Sequence, residues 1–169
     1  MDGPHFPLLL VDIDGVISLF GFDPAARPLG SFIAVEGIVH YLSASAGGQL
    51  RRLAERFELV WCSGWEEKAN EHLPGALGLA AGLPHLSFDR RPATSAHWKL
   101  AAIDGYAGPT RPLAWIDDAH DAATRAWASA RPGPTLIVAT EPPAGLTEAD
   151  VKCLLGWAAG LGPGRPTSA

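Results

Sequence analysis

The chain of 169 residues has little cysteine, since Cys62 and Cys153 are the only two. Two thiols at that separation give neither a disulfide framework nor the closely spaced pairs of a zinc site. No hydrophobic run approaches the length of a membrane span. The first apolar run follows the acidic Asp2 and ends after four residues, unlike the core of a signal peptide. We therefore expect a cytoplasmic protein.

Charged residues are also sparse, at 18% of the chain, and the acidic ones outnumber the basic ones, so that the net charge is −5. Such a chain generates no global basic field that would draw it to nucleic acid or to an anionic membrane.

A cysteine-based phosphatase is disfavoured as well. The sixth residue after Cys62 is Lys68 rather than arginine, and lysine lacks the bidentate grip of arginine on phosphate.

The chain does have a regular alternation of short apolar runs and helical patterns. Strands that are buried in a parallel sheet read as continuous apolar runs. Strands that alternate with helices favour an open parallel sheet with helices on both faces. We therefore predict an α/β fold, a three-layer Rossmann-like core on a five-stranded open parallel sheet. The predicted strands cover residues 8–11, 58–62, 85–88, 113–116 and 135–139, and Thr147 caps the last predicted helix, 147–159.

The intervals between these elements have room for a small flap and for no large cap domain. Residues 31–42 form two short runs around Glu36-Gly37, which predicts a β-hairpin. The stretch from Gly64 to Lys99 is too short for a folded cap. We expect a single domain over residues 1–161 and a disordered tail over residues 162–169, which is rich in proline, glycine and small polar residues.

Two carboxylates, Asp12 and Asp14, follow the first predicted strand directly, in the stretch "LLLVDIDGVI". Residues two apart on an extended segment point the same way, so both side chains can face one ligand. Gly15 permits the sharp turn that follows. In an open parallel sheet the ligand site lies at the carboxyl ends of the strands. The pair is therefore a candidate for metal binding or catalysis.

Further polar residues stand next to the other predicted strands, and we expect them to converge with Asp12 and Asp14 on one edge of the sheet. Several acids packed together repel one another strongly unless a cation lies among them. Hard oxygen ligands of this kind suit Mg²⁺. The additional residues are Ser63 and Gly64 after the second strand, Lys99 before the fourth, and Asp117 and Asp118 after the fourth, with Asp121 close behind.

Four short motifs in this chain resemble the signature of the haloacid dehalogenase (HAD) superfamily. They are "VDIDGV", "WCSGW", "HWK" and "WIDD", which occur in the family's order across roughly residues 8–121. A lone Asp-x-Asp-Gly would be a weak signal, whereas all four motifs on an alternating strand and helix pattern are a strong one. The resemblance implies a Mg²⁺-dependent phosphomonoester hydrolase that works through an aspartyl-phosphate intermediate.

The resemblance also implies how the acidic residues divide the chemistry. Asp12 is the nucleophile that attacks phosphorus. Asp14 protonates the leaving oxygen and then deprotonates the water that hydrolyses the intermediate. Mg²⁺ is held by the Asp12 carboxylate, by the Asp14 backbone carbonyl and by a carboxylate from Asp117 or Asp118, and it neutralises the phosphoryl oxygens.

The same resemblance implies a phosphate-binding role for three other residues. Ser63 donates its hydroxyl group, and Gly64 its backbone N–H, to a phosphoryl oxygen. Lys99 binds the phosphate and stabilises its charge as that charge redistributes. Asp121 either binds the metal through a water molecule or orients Lys99, and the sequence leaves these two roles open.

The chain further resembles the small capless HAD domains that occur alone or beside RNA-repair modules in bacteria, through "ELVWCSGWEEKAN", "HWK" and "PPAGLT". This implies an open site that acts on a nucleotide or on the 3′-phosphate end of a nucleic acid. Trp65 is a candidate for stacking on a base or sugar, or for plugging the edge of the sheet. Arg90 and Arg91 are candidates for gripping a second phosphate, or for solvating a surface.

Two other functions remain as alternatives, a phosphatase of small metabolites and a catalytically silent HAD-like domain that binds Mg²⁺ or a partner. Asp14 argues against the silent domain, because a fold without turnover has no need of an acid–base residue. A signalling receiver domain also uses an acidic pair, a hydroxyl group and a lysine on a parallel sheet. Its acidic pair stands at strand one and its phosphoacceptor at strand three, which is the reverse of the order here.

Overall fold

The computed structural model describes residues 6–89 and 96–162, and its central element is the strand β1, Leu8–Val11. All four side chains of β1 are fully buried. This strand pairs in parallel with a neighbour on each side, so its backbone is bonded on both edges while both of its faces are covered. A continuous apolar run is the sequence that such a position requires.

The strands around β1 form a four-stranded parallel sheet in the order β5-β1-β6-β7. The chain first passes from β1 to one side of it and then crosses to the other side for the last two strands. Ligand sites in open α/β sheets lie where the strand order reverses in this way. The parallel pairing of these four strands confirms the predicted parallel α/β sheet. The bounds are β5 Glu58–Trp61, β6 Leu113–Asp117 and β7 Thr135–Ala139.

The third predicted strand, at 85–88, is reduced to a single bridge between His85 and Trp61, so the described sheet has four strands rather than the predicted five. The Trp61 N–H donates to the Pro84 carbonyl at 2.8 Å, and the Leu86 N–H donates to the Trp61 carbonyl at 2.9 Å. The pairing does not extend to Phe88, whose N–H instead donates to the Glu66 carboxylate at 3.0 Å. A side-chain acceptor thus replaces the backbone acceptor that a longer strand would need.

Within the described residues, five α-helices connect and cover the sheet. Alternate residues of each strand point to opposite faces, and the hydrophobic core is accordingly divided in two. One cluster holds Leu9 and Val11 together with residues of the first, second and last helices, and the other holds Leu8 and Leu10 with residues of the third. In the described part of the chain, no helix is long and apolar enough to cross a membrane. The helices are α1 Ala46–Ala54, α2 Lys68–Leu77, α3 Leu100–Ala107, α4 Ala122–Ala130 and α5 Glu148–Gly160.

The predicted flap hairpin is confirmed, and it has one more strand than expected. Strands β3, Gly30–Val35, and β4, Ile38–Ser43, pair in an antiparallel manner, and the short β2, Ser18–Leu19, pairs with the other edge of β4. Glu36 and Gly37 both have positive φ, at 51° and 82°, as in the tightest hairpin turns. Two contacts of 2.6 and 2.7 Å join Lys68 Nζ to the Glu36 carboxylate, so the tip of the flap contacts the start of α2.

Several predictions fall partly or wholly outside the described residues. Arg90 and Arg91 both lie there, as does the predicted tail apart from Gly162.

Candidate active site

The carboxyl ends of β1 and β6 bring two buried carboxylates together. Asp12 is the first residue after β1, and its N–H donates to the Ile116 carbonyl of β6 at 3.0 Å. Asp117 is the last residue of β6. Only 7% of Asp12 and none of Asp117 is exposed to solvent. Two carboxylates are costly to bury unless other groups compensate their charge.

The compensating group inside the protein is the ammonium of Lys99. Its nitrogen donates to Asp117 Oδ2 at 2.6 Å and to the Cys62 carbonyl at 2.9 Å, and it lies 3.1 Å from Asp12 Oδ1. A lysine has three N–H donors, and these three oxygens can accept all of them. Lys99 ends a short 3-10 turn just before α3 and is 97% buried. The third motif therefore lies in contact with the first and the fourth.

The charges at this position shift the pKa values of the groups involved. Burial raises the pKa of Asp12 to about 8, although Lys99 attracts the ionised form. Burial alone would lower the pKa of Lys99, but attraction to Asp12 and Asp117 raises it above its ordinary value. Burial is thus the main cause of the raised pKa of Asp12, whereas the raised pKa of Lys99 comes from attraction to the two carboxylates that share its ammonium. The site therefore retains an excess of negative charge when both acids are ionised.

A third carboxylate, that of Asp118, completes a cluster that could hold a metal ion. One oxygen from each of Asp12, Asp117 and Asp118 lies within 4.8 Å of the others. Asp118 is partly buried, and burial together with the charge of Asp117 raises its pKa. With all groups ionised, the three carboxylates and the Lys99 ammonium carry a net charge of minus two. A divalent cation would balance that charge, and carboxylate oxygens are the ligands that Mg²⁺ prefers.

Gly15, which has no side chain, leaves the space that the Asp118 carboxylate fills. Its φ is +74°, and a Cβ atom built on it would overlap the Asp118 carboxylate. Its carbonyl accepts a hydrogen bond of 2.8 Å from the buried hydroxyl of Thr140. The predicted turn at Gly15 is confirmed, and a side chain at this position would displace one of the three acids.

Asp14 lies apart from this cluster. Its carboxylate Oδ2 accepts the indole N–H of Trp65 at 3.0 Å, and Oδ1 lies 3.5 Å from His40 Nδ1. Half of the Asp14 side chain is exposed. Asp12 and Asp14 therefore occupy different environments, one buried against a lysine and the other open to solvent at the edge of the site. The first is suited to bind a fixed group, and the second to exchange protons with a substrate or with water.

The second motif lies next to the first through the pairing of β5 with β1. The Cys62 N–H donates to the Val11 carbonyl at 2.8 Å, and Ser63 follows immediately. Ser63 is 98% buried, and its hydroxyl group accepts the backbone N–H of Trp65 at 3.3 Å, whereas Gly64 is exposed. The hydroxyl group and the Gly64 backbone thus stand at the carboxyl end of the neighbouring strand, where the sequence places them.

Asp121 has a structural contact in addition to any role in the site. It is the N-terminal cap of α4, where its carboxylate accepts the Thr124 N–H at 2.9 Å. Among the described residues, the three-carboxylate cluster does not include it. The helix cap is a structural reason for an acidic residue at this position, and it does not require a metal.

His40, a residue that the sequence prediction of the site does not include, lies in the candidate site. It belongs to β4 of the flap and contacts both Asp14 and the ring of Trp65, with ring centroids 4.6 Å apart. The available signal was the period of two along the flap strand. His40 shares a face with the buried Leu42, two positions on, so that face had to point inward.

The chain matches no model of a known protein family and no curated protein. The resemblance to the HAD superfamily therefore depends on the four motifs and stays a prediction.

Proposed function

We propose that the chain is a Mg²⁺-dependent phosphomonoester hydrolase of the HAD type, with Asp12 as its nucleophile. One observation carries the proposal. A buried carboxylate at the end of the central strand contacts a buried lysine and faces two further carboxylates on the adjacent strand end. Electrostatic compensation of this kind is costly to assemble for stability alone, and it suits a site that must bind a phosphate dianion with a cation.

Asp12 has one oxygen that is already engaged and one that we assign to the reaction. Oδ1 accepts the Ile13 N–H at 2.8 Å and lies beside Lys99. Both contacts are made to Oδ1, so Oδ2 is the atom that we assign to attack on phosphorus. Attack forms the bond between Oδ2 and phosphorus and breaks the ester bond, which yields an aspartyl-phosphate. Ser63 and Gly64 would donate hydrogen bonds to the phosphoryl oxygens during that transfer, and the positive charge of Lys99, whose N–H groups face protein oxygens, would stabilise the phosphoryl charge.

Asp14 would move the protons. In the first step it gives a proton to the leaving oxygen as the ester bond breaks. In the second step it takes a proton from the water that attacks phosphorus, and the bond from phosphorus to Asp12 breaks to release inorganic phosphate. Its half-exposed position supports both tasks, because leaving group and water both arrive from solvent.

The carboxylates of Asp12, Asp117 and Asp118 would hold Mg²⁺, together with the Asp14 backbone carbonyl. Their chemistry and their excess negative charge fit a hard divalent cation. When bound, Mg²⁺ would neutralise phosphoryl oxygens so that an anionic nucleophile can approach.

The proposed substrate is a nucleotide or the 3′-phosphate end of a nucleic acid. The open edge at Asp14 supports access for a large molecule. The net charge of −5 favours recognition of an end over tight binding along a polyanion. The proposal includes a cytoplasmic location, which two free cysteines favour.

Phosphate release tests this proposal. Wild-type protein and Asp12→Asn are incubated with Mg²⁺ and with p-nitrophenyl phosphate, nucleotides, sugar phosphates, and oligonucleotides that carry a 3′- or 5′-phosphate. We expect release by the wild type alone, inhibited by EDTA and restored by Mg²⁺, with the highest kcat/KM on oligonucleotide ends or nucleotides. A preference for sugar phosphates would replace the substrate with a small metabolite. Mg²⁺ binding without any release would favour the silent binding domain.

A further inference from the structure

The flap and the loop of the second motif both contact the Asp14 side chain, although they come from different parts of the chain. Trp65 lies in the turn after β5, and His40 lies on β4 of the flap. Their rings contact each other edge to face, with 63° between the ring planes. Each ring also places one nitrogen at the Asp14 carboxylate. The three side chains therefore form a cluster in which two rings enclose one carboxylate from two sides.

The two nitrogens reach different oxygens of that carboxylate. The Trp65 indole N–H donates to Oδ2 at 3.0 Å, whereas His40 Nδ1 lies 3.5 Å from Oδ1. Ser18 supports the histidine, because its hydroxyl lies 3.1 Å from the same Nδ1. His40 is also well packed, with 15% of its side chain exposed against 50% for Asp14. A solvent-facing carboxylate thus has a restricted orientation.

We propose that Trp65 and His40 are positioning residues that hold the Asp14 carboxyl group in the orientation needed for proton transfer. This inference rests on the proposed function, since it assigns how Asp14 performs its acid–base steps. The indole N–H of Trp65 donates to Oδ2 of Asp14, so Oδ1 is the oxygen that carries the proton. That proton moves from Oδ1 to the bridging ester oxygen as the phosphorus–oxygen bond breaks.

The role assigned to Trp65 differs from stacking on a base. Its polar N–H is bonded to Asp14 and one ring contact is made by His40. The flap likewise contributes to the site through His40, which contacts the Asp14 carboxylate. Positioned general acid catalysis contributes factors of about 10² to 10⁴ to rate, so loss of orientation has a measurable consequence.

The test compares two leaving groups. An alkyl phosphate releases a strongly basic oxygen and needs the proton from Asp14, whereas dinitrophenyl phosphate releases a weakly basic phenolate and does not. For Trp65→Phe and His40→Phe, which keep a ring and remove the nitrogen, we expect kcat on the alkyl ester to fall roughly 10- to 100-fold. KM should change little, and the first-turnover burst of dinitrophenolate should keep its wild-type rate. His40→Asn, which restores a polar atom near Nδ1, should recover part of kcat.

Trp127→Phe is the matched control. Its indole N–H donates to Asp104 at 2.9 Å, in a contact between helices α4 and α3 that does not involve Asp14, so it also loses one bond from an indole to a carboxylate. We expect it to leave both activities unchanged. A second readout does not depend on turnover. The indole N–H resonance of Trp65 should shift in Asp14→Asn, while that of Trp127 should not.

The outcomes separate the inference from the proposed function. A burst rate of dinitrophenolate that falls as much as kcat on the alkyl ester, or no fall in either, in folded Trp65→Phe and His40→Phe overturns the positioning role while the hydrolase stands. An unshifted Trp65 resonance in Asp14→Asn also overturns it. A wild-type protein that hydrolyses neither ester overturns the proposed function and the positioning role with it.

Discussion

The ammonium nitrogen of Lys99 lies 3.1 Å from Asp12 Oδ1, and both side chains are almost wholly buried. Neither charge could be left there alone, because removal of one partner from a buried pair leaves the other without compensation. The contact joins the third motif to the first. It makes the stability of the sheet edge and the proposed chemistry depend on the same two residues.

Replacement of Lys99 by methionine should destabilise the protein strongly and abolish phosphate release. The substitution keeps an apolar stem of similar length and leaves Asp12 and Asp117 buried without their cation. We expect a loss of about 3 to 5 kcal/mol in the free energy of unfolding, measured by urea denaturation in EDTA. The double variant Lys99→Met/Asp12→Asn should recover part of that loss, because it removes one of the stranded charges.

Lys68→Met is the control for stability, since Lys68 also contacts a carboxylate but does so at the surface. Exposed pairs of this kind contribute little, so its midpoint should stay near that of the wild type. A Lys99→Met protein as stable as Lys68→Met would contradict the compensation that we describe.

Gly15→Ala should weaken Mg²⁺ binding. A Cβ at this position overlaps the Asp118 carboxylate, and the φ of +74° is strained for alanine. We expect the Mg²⁺ dissociation constant, measured by calorimetry, to rise roughly 10-fold or more. Gly78→Ala carries a similar backbone strain at φ +63°, with only a flexible arginine tip near its Cβ. It should cost about 1 kcal/mol of stability and leave Mg²⁺ affinity unchanged. Equal affinities in the two variants would contradict the account.

Metal-free protein should become less stable as the pH rises from about 4 to about 8. The pKa of Asp12 is raised from 3.8 to about 8, so the folded chain binds more protons than the unfolded chain in this window. Ionisation of Asp12 therefore opposes folding as the pH rises. Thermal midpoints in EDTA should fall more steeply for the wild type than for Asp12→Asn.

Mg²⁺ competes with that proton, so its stabilising effect should increase over the same range. The rise in Tm caused by Mg²⁺ should be larger at pH 8 than at pH 6 for the wild type, with a smaller difference for Asp12→Asn. Parallel pH profiles in the two proteins would show that Asp12 does not titrate in this window.

The parts of the fold that the sequence predicts well are those that depend on neighbouring residues. The apolar run at β1 and the alternation of strands and helices are local patterns, and the parallel α/β sheet is confirmed. Thr147 does cap α5, with Asp150 as the reciprocal partner of a capping box. The carboxylates meet because parallel strand ends share one edge of a sheet.

The features that the sequence did not predict depend on contacts between distant residues. The Glu66 carboxylate accepts the Phe88 N–H, so the strand predicted at 85–88 does not extend to Phe88. Pro74 lies inside α2, although proline has no N–H to donate within a helix and is a signal for a helix end. The same helix buries Leu73 and Leu77 in the hydrophobic core, and such tertiary packing overrides the intrinsic cost of proline. The period of two places His40 on the inward face of its strand, but its contact with Asp14, 26 positions earlier, is not encoded by that local pattern.

The most direct test of the central claim is to trap the phosphorylated enzyme. Asp14→Asn is mixed with dinitrophenyl phosphate and Mg²⁺, quenched in acid and digested, and the peptides are analysed by mass spectrometry. The activated ester needs no acid for the first step, and the variant lacks the base for the second, so the intermediate should accumulate. We predict one phosphoryl group on Asp12, which is absent from Asp12→Asn. Dinitrophenolate release with Asp12 unmodified, or a phosphoryl group on another residue, would contradict the account.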